Sequence, residues 1–494
     1  MTMLGFVRTD GRGGRLSGWL TLALAGTALS VSACTLDVTD PDIITPDNLQ
    51  GASTLPTVRA AAIGDFALSY GGSGADGSSG TEGIIMMSGL LADEWINSET
   101  FPTRIEIDRR ATLATNGTLT GWFRTISRAR RSMEFAAGRF RALSDTTANT
   151  GLSEMLSLSG YTYLWFAENW CSGVPFSTAN PDGSLVFGQP LTRAQITDTA
   201  IARFTAALTA GNAAVNVSSG TRAIVQNLAR IGLARALVYR GGTGDFATAA
   251  TTIASVPTTY SYQIGYSETT TRENNGVFVA NGNAKRYSVA DGEGINGLRY
   301  RSTGDIRDTT VRLNVGTPSA PNVGFDMVTA QFDQLRFPDR KTSIPLATGA
   351  EARLIEAENA LQLGDTANGG VFYQRLDSLR AHPPAYFFLN PAIPPPPPPP
   401  APTAMSMLTT ADATTFGGAV NLLFRERALW MWLSAHRLAD LRRLSRAPYN
   451  RLPETVFPTG DYFKGGKYGT DYNFPVPFEE TNNPNFTQCL DRLP

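Results

Sequence analysis

Apolar residues recur at three- and four-residue spacing over much of this chain, and that period predicts helices. The clearest case is 152–170, where Met155, Leu158, Tyr161, Leu164 and Trp165 fall on one helical face. Glycine and then proline close it, in Cys171-Ser172-Gly173-Val174-Pro175. The same period predicts helices over about 57–69, 117–143, 193–210, 220–240, 246–255, 348–363, 369–380 and 417–445, and a further one ending near Leu91. In 417–445, Leu422, Leu429, Leu433, Leu441 and Leu444 share one face. Arg437 and Asp440 stand at i, i+3, close enough to pair. If exposed, such a pair contributes only about a few tenths of a kcal/mol, so the block reads as scaffold. His436 within it reads as a packed or hydrogen-bonded histidine.

The helical period lapses between 259 and 345. That segment carries Tyr260, Tyr262, Tyr266, Tyr287 and Tyr300 among many Gly, Asn and Thr, which predicts long loops with short strands. The glycine-rich stretch 71–80 lacks the Lys-Ser/Thr ending of a phosphate-binding loop. Pro394 to Pro400 is an unbroken proline run, restricted to polyproline II and read as a surface spacer. Two helices end alike: Ala234-Arg235-Ala236-Leu237-Val238-Tyr239 leads into Gly244-Asp245, and Glu356-Ala357-Glu358-Asn359-Ala360-Leu361 into Gly364-Asp365. Small-residue helices joined by a Gly-Asp turn to a second helix resemble tetratricopeptide units, which bury their core by stacking. Generic helical hairpins are the plainer reading.

The N-terminus reads as an export signal. Arg8, Arg12 and Arg15 precede an apolar stretch from Leu16 to about Val31, too short and too weakly apolar for a membrane span. It ends in Val31-Ser32-Ala33-Cys34, which resembles a bacterial lipobox and makes Cys34 the expected lipidation site. Each buried methylene of the acyl chains would contribute about 0.8 kcal/mol of membrane affinity. The alternative is an ordinary secretory signal with a chance cysteine. Leu36, where Asp often retains lipoproteins at the inner membrane, permits outer-membrane sorting. The expected division is a signal peptide over 1–33, a lipid-anchored tether over 34–55 and one domain over 56–494. Within that domain, helical scaffold occupies about 56–255 and 348–445, a loop-rich part about 256–347, a Pro-rich insertion about 391–404, and an extended C-terminal segment 446–494.

Net charge is -1, and no basic patch stands out, so nucleic acid is not an expected partner. Lysine occurs only at 285, 341, 464 and 467, against 42 Lys+Arg in total, so a lone Arg says little here. With Cys34 lipidated, Cys171 and Cys489 remain. An exported compartment permits a disulfide between them, worth about 4–5 kcal/mol in the chain-entropy picture; the alternative is two buried thiols.

Four blocks, in order, resemble the SusD/RagB family of nutrient-uptake lipoproteins. The first is the aromatic helix closing on Gly173-Val174-Pro175-Phe176. The second is Glu351-Ala352-Arg353-Leu354-Ile355-Glu356-Ala357-Glu358 with Leu363-Gly364-Asp365. The third is Glu426-Arg427 followed by His436-Arg437-Leu438-Ala439-Asp440-Leu441-Arg442-Arg443. The fourth is Phe474-Pro475-Val476-Pro477 with Asn483-Pro484-Asn485-Phe486-Thr487-Gln488. Trp430, Ser434, Ala435 and Cys489 depart from the family's usual residues. The resemblance implies a mainly α, SusD-like fold: tetratricopeptide-type helical hairpins as scaffold, long irregular loops and a few short strands. It implies an outer-membrane surface lipoprotein, held by its lipid anchor, that binds an oligosaccharide or other polymeric nutrient. Its partner would be a SusC-like TonB-dependent transporter; no catalysis, cofactor or metal is expected.

Sugar sites use flat aromatic faces with polar groups on the hydroxyls. Trp95 and Phe101 are therefore candidates for a platform, and Asn97 and Arg104 for hydroxyl bonding. Tyr260, Tyr262 and Tyr266 form a second candidate platform, and core packing of Trp95 is the competing reading. A surface glycoside hydrolase would need two facing carboxylates, and the adjacent pairs Asp93-Glu94 and Glu479-Glu480 do not supply that arrangement by themselves. A helical-repeat envelope scaffold is the other alternative, though a pure scaffold has no need of the long Tyr-rich region.

Overall fold

The computed structural model describes residues 51–74, 82–142, 148–180, 184–303, 305, 307, 311–313, 322–385 and 404–494. Leu55–Pro494 forms one compact unit; of the preceding unit, Met1–Thr54, residues 51–54 are described. The signal peptide, Cys34, most of the tether, and all of the Pro-rich insertion but its last residue therefore lie outside the described residues.

The helical period becomes α1 (Leu55–Gly71), α2 (Ile84–Leu91), α3 (Pro102–Asp108), α4 (Gly117–Ala142), α5 (Ala148–Asn169), α6 (Arg193–Ala213), α7 (Ser219–Arg240) and α8 (Asp245–Ile253). After the loop-rich part come α9 (Gly349–Gln362), α10 (Val371–Ala381), α11 (Thr410–Thr415), α12 (Ala419–Trp430) and α13 (Arg437–Leu444). Each helix from α4 to α8 packs on the next, α8 packs on α9, and α9 packs on α10. Small residues permit the close stacking. Phe204 of α6 lies against Gly160 of α5 and Gly232 of α7, where an added Cβ would strike its ring. The caps obey local chemistry: Thr192 and Gln195 form a capping box on α6, and Ser218 accepts from Thr221 N–H on α7. In both Gly-Asp turns the Asp carboxylate accepts a backbone N–H, Asp245 from Gly242 at 2.7 Å and Asp365 from Val371 at 3.0 Å. No helix among the described residues is long and apolar enough to cross a membrane.

The single helix expected over 417–445 is two. The link 431–436 breaks it, with Leu433 and Ala435 in the left-handed region at φ 57° and 60°. That strain is held by buried ion pairs on every side. Arg235 of α7 forks onto Glu168 of α5 at 2.7–2.8 Å and donates to the Ala435 carbonyl at 2.8 Å. His436 bonds Glu351 of α9 and Ser434, each at 2.9 Å, and is buried. Arg437 and Asp440 do not pair with each other. Arg437 forks onto Asp93 at 2.6 Å, while Asp440 takes Arg427 at 2.8–2.9 Å and Arg443 at 2.9 Å. All five are buried; the bidentate fork onto Asp93 draws Arg437 away from Asp440, while Asp440 keeps its other i, i+3 neighbour, Arg443.

The loop-rich part holds short antiparallel pairs. β1 (Trp95–Asn97) pairs β7 (Tyr287–Val289), β6 (Ser261–Ile264) pairs β10 (Ile344–Thr348) across a bulge, and β8 (Val311–Leu313) pairs β9 (Phe332–Gln334). Two-residue pairs join β2 (Val174–Pro175) to β5 (Pro190–Leu191) and β3 (Thr178–Ala179) to β4 (Leu185–Val186). The C-terminal segment straps the scaffold: Phe474 and Trp170 form a parallel bridge, and Trp122, Trp170 and Phe474 cluster. Cys171 and Cys489 are joined in a disulfide. Gly173 between them has φ +109° and lies against the Leu490 backbone, which excludes any side chain there.

Candidate ligand cleft

β1 is a short buried strand fixed in position: its Asn97 N–H donates to Asp108 Oδ2 at 2.7 Å, and it is paired along β7. The chain leaving β1 opens a cleft of about 790 Å³. Ile96, Ile105, Ala330 and Phe332 give it an apolar floor, with Val328 and Phe463 beside them. Its polar groups are Glu99, Thr100, Glu293, Arg301, Asp326, Thr329 and Lys464. Phe101 and Phe325 stack next to it, with ring centroids 6.4 Å apart and planes 23° apart. The Arg286 guanidinium lies 5.1 Å and 4.7 Å from those two centroids. Phe101, Phe325 and Phe463 are 42%, 47% and 43% exposed, so part of each ring reaches solvent.

Lys464 organises the mouth. Its ammonium donates to Asn97 Oδ1 at 3.0 Å, the Glu99 carbonyl at 2.7 Å and Asp326 Oδ2 at 2.8 Å, and so joins three segments distant in sequence. Burial pushes the Asp326 carboxyl up, but Lys464, the Thr329 hydroxyl and two backbone N–H groups outweigh it and hold it at about 2. Burial raises Glu99, and Arg104 and Arg286 pull against that. Burial likewise raises Glu293, opposed by the Tyr468 hydroxyl, which donates to it at 2.9 Å. One residue before β1, burial pushes Glu94 up to about 8, although the Leu433 N–H donates to it at 3.0 Å. The arrangement offers aromatic faces and fixed polar groups around an open trough, which suits binding of a polar, ring-containing ligand.

The residues proposed from sequence divide. Trp95 is fully buried against Gly89, so it presents no face to a ligand; a strand covered by β7 on one edge and α2 beside it leaves it no outlet. Asn97 is fully buried and serves Lys464 and the Glu99 N–H. Phe101 stands exposed beside the cleft. Arg104 is engaged by Glu82 and Glu99, so its charge is already matched. The three tyrosines form no platform. The Tyr260 hydroxyl donates to the Ile224 carbonyl at 2.7 Å, that of Tyr262 to Glu154 at 2.7 Å, and that of Tyr266 to the Ala67 carbonyl at 3.0 Å. Each hydroxyl is drawn toward the helices because a half-buried phenol needs a partner, and α1, α5 and α7 supply one. Phe325, Phe463, Arg301, Asp326 and Lys464 were not among the sequence candidates. The one signal for any of them is Lys464, one of four lysines in a chain whose other basic residues are arginine apart from two histidines.

No family model and no curated protein sequence matches the chain. Solved structures do. A SusD-like carbohydrate binding protein from Bacteroides fragilis superposes with a TM-score of 0.62 at 15% identity, over 89% of this chain and 99% of that one. Surface glycan-binding protein A from Bacteroides uniformis gives 0.59 at 13% identity, over 88% and 99%. Surface glycan-binding protein A from Bacteroides thetaiotaomicron in complex with laminarihexaose gives 0.57 at 11% identity, over 89% and 99%. The architecture is thus a helical-hairpin scaffold carrying an irregular, cleft-bearing part. It is the SusD-like fold, shared along nearly the whole described chain.

Proposed function

We propose that this protein captures a glycan in the Phe-walled cleft and hands it to a TonB-dependent transporter of the SusC type. The observation that carries the reading is the open aromatic cleft in the irregular part of a fold otherwise found in surface glycan-binding proteins. Its role is binding: the cleft's carboxylates are each held by a fixed donor, Glu99 by Arg286, Asp326 by Lys464 and Glu293 by Tyr468. A hydrolase would need one of them free to act as acid or base on a substrate. Acylation at Cys34 would hold the protein at the outer membrane facing outward, beside its transporter. Affinity purification from the native envelope tests this. A large TonB-dependent barrel recovered in near-equal amount supports the reading, and recovery of periplasmic assembly factors without a barrel overturns it.

A further inference from the structure

The cations around the cleft are not equivalent. Lys464 has three oxygen partners, and Arg104 and Arg286 are ion-paired with Glu99. Arg301 differs. Its guanidinium lies over the Phe332 ring, 3.6 Å from the centroid, on the cleft wall. Among the described residues no carboxylate forms an ion pair with it, and its Nε is buried without a partner. The acids whose fields reach it have other donors: Asp291 Oδ1 accepts the backbone N–H of Arg301 at 2.9 Å and of Ser302 at 3.2 Å, and Glu293 accepts from Tyr468. Burial lowers the Arg301 pKa, and Asp291 and Glu293 offset that only in part. Stacking occupies the face of a guanidinium and leaves its in-plane N–H donors available, the edge that matches a carboxylate or sulfate. A partly desolvated cation without a directly bonded counter-ion is costly until an anion joins it.

We infer that the cleft takes an acidic glycan, one whose oxyanion, carboxylate or sulfate, is gripped by Arg301 while a sugar ring lies on the neighbouring phenylalanine faces. This rests on the glycan-capture reading and adds the substrate class to it. Of the other charged groups lining the trough, Glu99 and Asp326 are ion-paired with Arg286 and Lys464, and Glu293 accepts from Tyr468, so Arg301 is the lining cation with no ion pair among the described residues.

Calorimetric titration of the purified protein with hexagalacturonate, a sulfated oligogalactan and laminarihexaose tests the inference. One acidic probe is expected to bind at least about tenfold tighter than laminarihexaose, and which one it is separates carboxylate from sulfate. Arg301→Gln abolishes that preference. Added salt weakens the acidic probe's binding to the unaltered protein and leaves that of laminarihexaose unchanged, a readout that needs no variant. Tighter binding of laminarihexaose than of both acidic probes overturns the inference and leaves glycan capture standing. So does an acidic-probe affinity that Arg301→Gln does not change. Failure to bind any glycan overturns both readings together.

Discussion

Glu94 lies fully buried next to β1, with one carboxylate oxygen on the Leu433 N–H and the other, Oε2, without a hydrogen-bond partner among the described residues. Burial raises its pKa from the ordinary 4.5 to about 8. Across that window the folded protein keeps a proton that the unfolded chain has released. Stability contributed by this group is therefore complete below pH 4.5 and is lost as pH rises toward 8. Glu94→Gln keeps the acceptor for Leu433 and removes the titration. The variant is expected to be the more stable form at pH 9, on the order of 2–4 kcal/mol, and to match the unaltered protein near pH 5. Urea unfolding at both pH values measures this, and parallel pH profiles for the two proteins would show that Glu94 titrates normally.

The link between α12 and α13 shows which elements a sequence discloses. Helices α4, α5, α6 and α7 were legible because their apolar faces repeat over five or more turns and their ends carry Gly, Pro or hydroxyl caps. The break at 431–436 was not, because Leu433 keeps the helical period while its backbone turns left-handed, and neither it nor Ala435 is a glycine. The cause is tertiary: the buried arginines of α7 and α13 fix the link from outside. Arg235 is central to that. Arg235→Met leaves Glu168 a buried, unpaired carboxylate and removes a donor from the Ala435 carbonyl, for an expected loss of about 3–5 kcal/mol in denaturant unfolding. Arg235→Met combined with Glu168→Met is expected to recover most of it. If the single and double variants lose stability equally, the pair is not what anchors the link. The cleft was less legible still. Trp95, the most conspicuous aromatic, is core, whereas the exposed faces come from Phe101, Phe325 and Phe463, positions that no local pattern connects. Long-range segments meet there through Lys464, and only the folded chain brings them together.

At the scale of the whole molecule, scaffold and cleft divide the labour. Hairpins α4 to α10 and the C-terminal strap, closed by the Cys171–Cys489 disulfide, pack as the scaffold, while the segments between α2 and α4 and between α8 and α9, with Phe463 and Lys464 of the C-terminal segment, build the trough. Fixed ion pairs such as Asp93–Arg437 join the two, and Asp93 also accepts the Leu298 N–H at 2.8 Å, so the cleft is held ready before a ligand arrives. Preorganisation of this kind lowers the ordering cost of binding. The most direct test of glycan capture in this cleft is glycan-array binding of the purified protein beside its Phe463→Ala variant. Phe463 is exposed enough to be truncated without disturbing the core, so melting temperature should hold. The account predicts that the unaltered protein binds a defined set of glycans and that the variant loses about tenfold or more of that affinity, roughly 1.4 kcal/mol. An unaltered protein that binds no glycan, or a variant that binds as well as its parent, would contradict it.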